Sequence, residues 1–370
     1  MKHYFLGTNA GISKKERIWR RKLKANREDY DKLHDFLLDY YKGEQVLLTI
    51  NGRSGIAAGL FYGTDKRKEV IINGFTCHAV VQGVKAAGKT PIYADISPKT
   101  LNFTLESLEK AISKNTCAVI VQNTLGNMVD IREIESFCKK HNLVLIEDLA
   151  HCQGQKYPDG REAGTVGDVT VLSFGKEKVF DAGSGGALIL REKLPKIPIL
   201  NDKTPEKDEF LARIYPTIGL IYRRLSFVGC HGLYMRLMLK LGWVRKSADG
   251  EVDFKGKRLS DFQAKLVYEK MMGDLKIKNK GVLREFYLVD NRDGLLKELK
   301  KSGYYFDGFW YEKPVSPERY YKKADFPEEK CPKAVFTSEH IINLPTYYSE
   351  KELAPARKII KKYLLEGENE

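Results

Sequence analysis

Two apolar runs in the middle of the chain end beside residues that could do chemistry together. The run 143–146 stops at the acids Glu147 and Asp148, and the run 169–174 leads to Lys176 and Lys178. In open α/β sheets, ligands bind at the ends of the strands. An amine that forms a Schiff base and a carboxylate that keeps a ring nitrogen protonated are the groups that pyridoxal phosphate requires. The arrangement therefore predicts a site for this cofactor.

The same stretch carries four motifs in a fixed order. Residues 146–151 read IEDLAH, Gly167-Asp168 follows, then SF at 173–174 with Lys178, and GSGG at 183–186. This series resembles the DegT/StrS family of sugar aminotransferases, which are fold type I pyridoxal phosphate enzymes. The family places its lysine five residues after the serine of the S-F motif, and this offset selects Lys178 over Lys176. The resemblance runs from about residue 47 to 191, through ADISPKTLNF and NTLGNMVDI.

The resemblance implies a role for each polar residue of these motifs. Lys178 would form the Schiff base and act as the general acid and base that moves the proton. Asp148 would pair with the ring nitrogen, His151 would lie near the ring hydroxyl, and Ser173 would donate to the cofactor phosphate. The structural alternatives are a helix cap for Asp148, a packing role for His151 and a hydroxyl bonded to backbone for Ser173.

A glycine-containing turn earlier in the chain predicts a phosphate-binding site. Residues 51–55 read NGRSG and lead from a short strand into an expected helix, IAAGLFYG. The first turn of a helix presents free N–H groups and the positive end of the helix dipole, which suit a phosphate. An ordinary strand-to-helix turn is the alternative. Family members carry a similar turn, and the resemblance implies Gly52, Arg53 and Ser54 as phosphate-side residues.

The chain departs from the family pattern where members place a ring over the cofactor. The segment reads NGFTCH from residue 73, so that the stacking position falls on Cys77. Phe75 or His78 would stack on the cofactor in place of the missing aromatic residue. The alternative for Phe75 is a position in the apolar core.

A second family segment returns at residues 254–266, FKGKRLSDFQAKL, and in members it reaches the partner's cofactor across a dimer interface. The asparagine that members aim at the neighbour's phosphate corresponds here to Gly256, and Lys255 or Lys257 is the candidate replacement. Arg258 is a substrate-side candidate, as are Trp310 and Tyr311 in the WYEKP stretch of the C-terminal part.

The composition is that of a large folded chain with a basic surface. The 370 residues are 42% hydrophobic and carry a formal net charge of +14. This charge suits an anionic substrate such as a nucleotide-linked sugar. The basic residues are scattered among acids, which argues against nucleic acid binding. Six cysteines without zinc spacing and a start without a secretory pattern predict a reduced, cytoplasmic protein with no metal.

Apolar runs alternate with helix-length segments over most of the chain, which predicts an α/β fold with a mostly parallel sheet covered on both faces. The resemblance makes this an aspartate-aminotransferase-like three-layer sandwich with a smaller α+β domain at the C-terminus. The expected divisions are an N-terminal arm and cofactor domain at 1–193, an insertion or linker at 194–253, and the small domain at 254–370.

The insertion is basic and apolar, with basic residues between aromatic and aliphatic ones. It contains no uninterrupted run of the roughly 20 apolar residues that a spanning helix needs. Residues 210–246 would either lie on a membrane surface, contact a partner subunit or pack on the rest of the chain. Packing on the rest of the chain is the favoured alternative.

These observations predict a homodimeric, pyridoxal 5'-phosphate-dependent aminotransferase of polysaccharide biosynthesis. It would move an amino group from glutamate to a nucleotide-linked keto-sugar; the donor, the sugar and the nucleotide come from the resemblance alone. One alternative is another pyridoxal phosphate reaction, such as dehydration or lyase chemistry. Sugar dehydratases of the family carry histidine in place of the lysine, and Lys178 argues against them. The other is a non-catalytic or regulatory binding protein of the same fold.

Overall fold

The computed structural model describes residues 4–6, 13–194, 196–200, 202, 206–245, 248–274, 282–306, 308 and 310–365. In chain order the strands are β1 Tyr4–Phe5, β2 Gln45–Thr49, β3 Glu69–Asn73, β4 Thr76–Cys77, β5 Thr90–Ala94, β6 Ile96–Ser97, β7 Asn102–Phe103, β8 Thr116–Val121, β9 Val144–Asp148, β10 Val169–Ser173, β11 Gly186–Leu190, β12 Arg284–Leu288, β13 Tyr304–Tyr305, β14 Val315–Ser316 and β15 Ile341–Pro345.

The α-helices are α1 Lys14–Lys22, α2 Arg27–Tyr40, α3 Gly52–Gly63, α4 His78–Ala86, α5 Leu105–Ala111, α6 Ile131–His141, α7 Glu206–Ser226, α8 His231–Lys240, α9 Asp261–Asp274, α10 Arg292–Lys301, α11 Pro332–His340 and α12 Glu350–Ile360. Short 3-10 helices lie at Thr124–Gly126, Glu318–Ala324, Glu328–Lys330 and Lys361–Tyr363.

A seven-stranded sheet in the order β2-β11-β10-β9-β8-β3-β5 forms the centre of the molecule. The neighbours from β10 to β5 pair in parallel, while β11 runs antiparallel to both β10 and β2. The strands are short apolar runs buried on both faces, as expected for a parallel sheet covered by helices. The predicted mostly parallel α/β sheet is confirmed.

Helices cover both faces of this sheet and form two apolar cores. Helices α2, α5, α6 and α9 contribute to one core with Leu145, while α3 and α4 contribute to the other with Ile146. Successive side chains of a strand point to opposite faces. Glu147 therefore faces the α2 and α6 layer, and Asp148 faces the α3 and α4 layer.

A smaller α+β unit follows α9. Strands β12 and β15 pair antiparallel, and the short β1 pairs in parallel with β13. Helices α10 and α12 supply side chains to a third apolar core, which includes Leu295, Leu344 and Leu353. The predicted smaller α+β domain is confirmed, whereas its boundary at residue 254 stays a prediction.

The segment predicted as an insertion contains α7 and α8. Helix α7 packs on α1 and α9. The Arg213 guanidinium donates to the carbonyl of Arg20 at 3.0 Å and to that of Leu23 at 2.8 Å. Within the residues described, no helix is both long enough and apolar enough to cross a membrane.

Candidate active site

Lys178 lies in a loop after β10, at a cavity of about 1330 Å³ between the sheet edge and the small domain. Its Nζ lies 4.8 Å from the centre of the Trp310 ring. Burial lowers the pKa of the Lys178 ammonium, while Cys77, Asp148 and Glu177 oppose that shift. A larger fraction of the amine is therefore neutral near neutral pH than in an exposed lysine, as amine chemistry requires.

Lys176, the rival lysine, points elsewhere. Its Nζ donates to the carbonyl of Arg245 at 3.2 Å and lies 5.3 Å from the centre of the Tyr215 ring. Both partners belong to α7 or to the segment after α8, so this amine contacts the insertion. The structure thus brings Lys178, and not Lys176, close enough to Asp148 for the two charges to influence each other.

Asp148 ends β9 on the α3 and α4 face of the sheet. It is 4% exposed, and among the residues described its carboxylate accepts one hydrogen bond, from the Ala150 N–H at 3.0 Å. Burial raises the pKa of Asp148 to about 6, although the Ala150 N–H and the charge of Lys178 lower it. A buried carboxylate with so few donors is stabilised by a nearby cation.

His151 follows on the turn after β9. Its Nδ1 accepts a hydrogen bond from the Leu125 N–H at 3.1 Å, which leaves Nε2 to carry the proton of the neutral ring. Burial holds the pKa of His151 well below its usual range, and Lys178 lowers it further. The ring lies 5.2 Å from that of Trp310, so this neutral N–H donor stands close to Lys178 and Asp148.

Glu147, next to Asp148, has a different environment on the other face of the sheet. Its side chain is completely buried and accepts hydrogen bonds from the Tyr157 hydroxyl and from three backbone N–H groups. Those N–H groups belong to Gly164, Val166 and Gly167. Glu147 therefore holds the loop before β10.

The expected phosphate turn begins α3. Asn51 caps the helix, since its Oδ1 accepts from both the N–H and the hydroxyl of Ser54 at 3.0 Å. The Ser54 hydroxyl also accepts from the Asp253 N–H at 3.1 Å. Ser54 is thus already bonded within the chain. The Gly52 and Arg53 N–H groups remain as the first-turn donors suited to an anion.

Ser173 links this turn to the lysine loop. A Cβ at Gly52 would lie 3.0 Å from the Ser173 Cβ and 3.3 Å from its hydroxyl oxygen, so only glycine allows this approach. The same hydroxyl oxygen lies 3.6 Å from the point that a Cβ would occupy at Gly175. This point is also close to the Lys178 side chain. The structure therefore brings Ser173 together with both the helix start and the lysine.

The Arg53 guanidinium is turned toward the end of the insertion. It donates to the Gln82 side chain at 2.6 Å and to the carbonyl of Gly250 at 3.0 Å, while Gln82 donates to the carbonyl of Ala248. Burial lowers the pKa of Arg53. The side chain of Arg53 thus fastens residues 248–250, and its backbone N–H is the group at the helix start.

The rings proposed to replace the stacking aromatic each pack on a tyrosine. Phe75 is fully buried with its centre 4.7 Å from that of Tyr311, and His78 stacks on Tyr320 at 4.6 Å. Cys77 caps α4, and its thiol is close enough to affect the pKa of Lys178. The side chain beside the lysine at this position is therefore a thiol.

The residues proposed to replace the family asparagine have partners within the chain. A Cβ at Gly256 would lie 2.7 Å from the Asp202 carboxylate, so a larger residue would require that side chain to move. Lys257 forms an ion pair with Glu251 at 2.7 Å. The Lys255 Nζ lies 4.8 Å from the centre of the Phe61 ring.

The three substrate-side candidates lie in different places. Trp310 lines the cavity, and its indole N–H donates to Glu177 at 3.0 Å. Tyr311 is buried behind it, and its hydroxyl accepts a hydrogen bond from Gln122 at 3.2 Å. Arg258 is 3% exposed, forms an ion pair with Asp261 at 2.7 Å and packs on Tyr30.

Several cavity residues were not predicted from the sequence. They come from α1, α7, α9 and the small domain, and the aromatic and cationic ones are Trp19, Tyr215, Lys270, Arg284, Tyr347 and Arg357. Arg284 is held by the Asn343 side chain at 2.7 Å, and Asn343 also donates to the carbonyl of Trp310. A weak signal was available, since charged residues inside apolar strands are uncommon.

Asp181 anchors the lysine loop to three helices. Its carboxylate accepts from the N–H groups of Glu177 and Gly183 at 2.8 Å and from the Tyr215 hydroxyl of α7. Its carbonyl accepts from Arg20 of α1 at 2.6 Å and from Lys270 of α9 at 2.7 Å. The loop that carries Lys178 is thus fixed from outside the sheet.

Lys178 at the cavity and the buried residues around it fit pyridoxal phosphate. The Asp148 carboxylate, whose pKa burial raises, matches a protonated ring nitrogen. His151 offers an N–H, Lys178 an amine of lowered pKa, and the start of α3 two N–H groups beside Ser173. These residues would hold the ring nitrogen, the ring hydroxyl, the aldehyde carbon and the phosphate respectively.

Comparison with known proteins identifies similar sequences. The profile of the DegT/DnrJ/EryC1/StrS aminotransferase family matches residues 17–201. GDP-perosamine synthase of Escherichia coli O157:H7 is 33% identical over 174 residues, which are 47% of this chain and 48% of that protein. The chain thus spans about half the length of this relative. A pleiotropic regulatory protein of Geobacillus stearothermophilus is 25% identical over 87% of this chain and 85% of its own length.

The fold is also found among solved structures. A DegT DnrJ EryC1 StrS aminotransferase from Brucella abortus superimposes with a TM-score of 0.65, covering 90% of both chains at 20% identity. At this identity the likeness concerns the fold, and it confirms the predicted architecture for nearly the whole chain.

Proposed function

Because the chain belongs to the DegT/DnrJ/EryC1/StrS aminotransferase family, we propose that it is a pyridoxal phosphate-dependent aminotransferase that transfers an amino group from glutamate to a nucleotide-linked keto-sugar. The family uses pyridoxal phosphate as its cofactor. The observation that carries the proposal is the juxtaposition of Lys178, which lines the cavity and has a lowered pKa, and the buried Asp148, which has a raised one.

Each group of the chain has a task in this proposal. When bound, the cofactor would accept electrons from the substrate carbon and so stabilise negative charge there. Asp148 would hold the proton on the ring nitrogen, and the His151 Nε2–H would donate toward the ring hydroxyl. Lys178 would hold the cofactor through Nζ, and its amine would move the proton of the substrate carbon.

The cavity suits a substrate larger than an amino acid. Its volume of about 1330 Å³ exceeds the usual size of a small-molecule pocket. Arg284 and Trp310 line it, and a cation and a ring of this kind match a phosphate group and a sugar. Arg357 also lines it, but it is paired with Glu285 and Glu350. Relatives such as GDP-perosamine synthase are named for nucleotide-sugar products, which supports this substrate class. We also propose that the active form is a homodimer.

A second candidate function is regulatory binding without catalysis. The similarity to a pleiotropic regulatory protein extends over 85% of that protein. A thiol at the ring-stacking position and Gly256 in place of the phosphate-binding asparagine are consistent with it. Retention of Lys178 and Asp148 favours the aminotransferase.

The test is the near-visible absorbance of the protein supplied with pyridoxal phosphate, before and after glutamate is added. We expect a band of lysine-bound cofactor that glutamate bleaches, and no such band in Lys178→Ala. The general acid and base typically contributes about 100-fold to 10,000-fold, so amino transfer by this variant should fall by at least about that range.

Lys176→Ala is the matched control and should keep both the band and the activity. Wild-type protein that shows no lysine-bound band would contradict the aminotransferase and favour the regulatory candidate. A band that glutamate leaves unchanged would contradict glutamate as the donor.

A further inference from the structure

The hairpin formed by α7 and α8 has one face that is unusual for a surface helix. Leu233, Leu237 and Leu241 recur at every fourth residue of α8, and 69%, 50% and 49% of their surfaces are exposed. Residues four apart lie on one side of a helix. These leucines therefore form a continuous apolar ridge that points to solvent, while Met238 on the opposite side is buried.

Basic side chains lie on the same side of the helix. Arg236 and Lys240 stand three and seven residues after Leu233, and both are exposed. At about 100° per residue, the leucine ridge and these two cations fall within a sector of about 140°. We call the surface made by Leu233, Arg236, Leu237, Lys240 and Leu241 the hairpin face.

The hairpin face is extended by other exposed apolar residues at the two ends of α8. Val228 in the turn before α8 is 69% exposed, and Trp243 after it is 44% exposed. Exposed apolar groups of this number within a short segment are uncommon on a monomer surface and indicate a contact with something else.

The charge of the segment identifies what that contact is. Between Glu209 and Asp249 the sequence has seven Lys or Arg residues and no Asp or Glu. Most basic residues elsewhere are interspersed with acids, so this stretch, like residues 17–27, differs from most of the sequence in lacking them. Arg213 and Arg245 of this stretch pair with Glu209 and Asp208, which come just before it. Leucine and tryptophan combined with the exposed basic residues of the hairpin face match an anionic lipid surface, where the cations meet head groups and the apolar ridge enters the boundary of the acyl chains.

A second copy of the chain is a poorer occupant. A twofold interface places the same patch on both sides, so Arg236 and Lys240 would face the same cations of the partner. Such like charges repel at close range. Within the residues described the hairpin contains no helix that could cross a bilayer, so contact with a membrane would be peripheral.

We propose that the hairpin face docks the protein on the surface of membranes that contain anionic phospholipids. The contact would combine insertion of the leucine ridge with attraction between the basic residues and the lipid head groups. Residues of α7, including Tyr215 and Pro216, also line the cavity at Lys178, so docking would hold a wall of the catalytic cavity close to the bilayer.

Co-sedimentation of the full-length, cofactor-loaded protein with lipid vesicles tests this proposal. We expect binding to vesicles of phosphatidylcholine mixed with phosphatidylglycerol, weaker binding at high salt, and little binding to pure phosphatidylcholine. Arg236→Gln combined with Lys240→Gln should weaken the binding about thirtyfold. Leu233→Ser combined with Leu237→Ser should weaken it at least about tenfold.

The matched control is Lys300→Gln combined with Lys301→Gln, which removes the same charge from the exposed end of α10 and should leave binding unchanged. The absorbance band of the bound cofactor, retained in every variant, verifies folding. Wild-type protein that does not sediment with the mixed vesicles would overturn the proposal, as would binding that the hairpin variants do not alter. If the leucine variant instead breaks the protein into smaller assemblies in light scattering, the face is an interface between copies and the proposal is wrong.

Discussion

The carboxylates of Glu147 and Asp148 lie on opposite faces of β9 and differ in the number of hydrogen bonds that they accept. Glu147 on one face accepts four hydrogen bonds, three of them from backbone N–H groups that fix the loop before β10. Asp148 on the other face accepts one within the described chain, and burial raises its pKa to about 6. A buried carboxylate whose hydrogen-bond donors are all present stabilises the fold. A buried carboxylate with few donors is instead suited to binding a ligand.

The largest effect that this comparison predicts is on catalysis at Asp148. Asp148→Asn keeps the shape of the side chain and removes the charge that would hold a proton on the cofactor ring. Since breaking a buried ion pair costs about 3–5 kcal/mol, we expect kcat/KM to fall by about two to four orders of magnitude. Steady-state kinetics at saturating cofactor measures this loss, and activity within a factor of about ten of wild type would disprove the role.

The same variant should change the stability of the cofactor-free protein in a pH-dependent way. The pKa of Asp148 is about 6 in the folded state, against an ordinary value of 3.8. Protonation therefore favours the folded state, and this contribution is present below about pH 4 and is lost as the pH rises through about 6. Wild-type protein should lose about 3 kcal/mol relative to Asp148→Asn across that range. Urea unfolding of both proteins measures it, and parallel curves would contradict it.

Glu147→Gln tests the other face and should act on stability. The amide of glutamine has an NH₂ group in place of one carboxylate oxygen. The O–H or N–H donors that bonded to that oxygen then lose their acceptor and face another donor. We expect the free energy of unfolding to fall by about 2–3 kcal/mol, with the activity per folded molecule nearly unchanged. Glu109→Gln on the exposed side of α5 is the control and should change stability by less than about 0.5 kcal/mol. A variant that is stable but inactive would reverse the comparison.

The smallest effect concerns Trp310 at the cavity wall. Trp310→Phe keeps a ring near Lys178 and His151 but removes the N–H that donates to Glu177. Loss of one hydrogen bond to a charged group should lower kcat/KM by about tenfold. Trp310→Ala, which also removes the ring, should lower it further. Equal losses in the two variants would show that the ring itself contributes nothing.

The central sheet could be predicted because it depends on local patterns, and for the same reason the motif residues Asp148, Ser173 and Lys178 were expected at or just after strand ends, where they lie. Strands such as β9 and β10 are short apolar runs, and the offset between Ser173 and Lys178 is fixed within one loop. These features specify which strand ends meet at the cavity.

Partners that lie far away in the sequence could not be predicted in this way. Arg53 was expected to face a phosphate, but its guanidinium bonds to Gln82 and Gly250, nearly 200 residues away in the second case. The Asp202 side chain lies against Gly256. Such contacts arise from the packing of the insertion, for which the resemblance offered no pattern.

Asp181 shows what this packing means for any attempt to shorten the protein. A fragment that ended with the family match at residue 201 would keep Lys178, every motif around it and the anchoring Arg20. It would lack Tyr215 and Lys270, which also bind Asp181 and fix the lysine loop. The lysine loop is therefore held by helices that lie beyond the matched residues 17–201, and a fragment that keeps these contacts extends at least to α9.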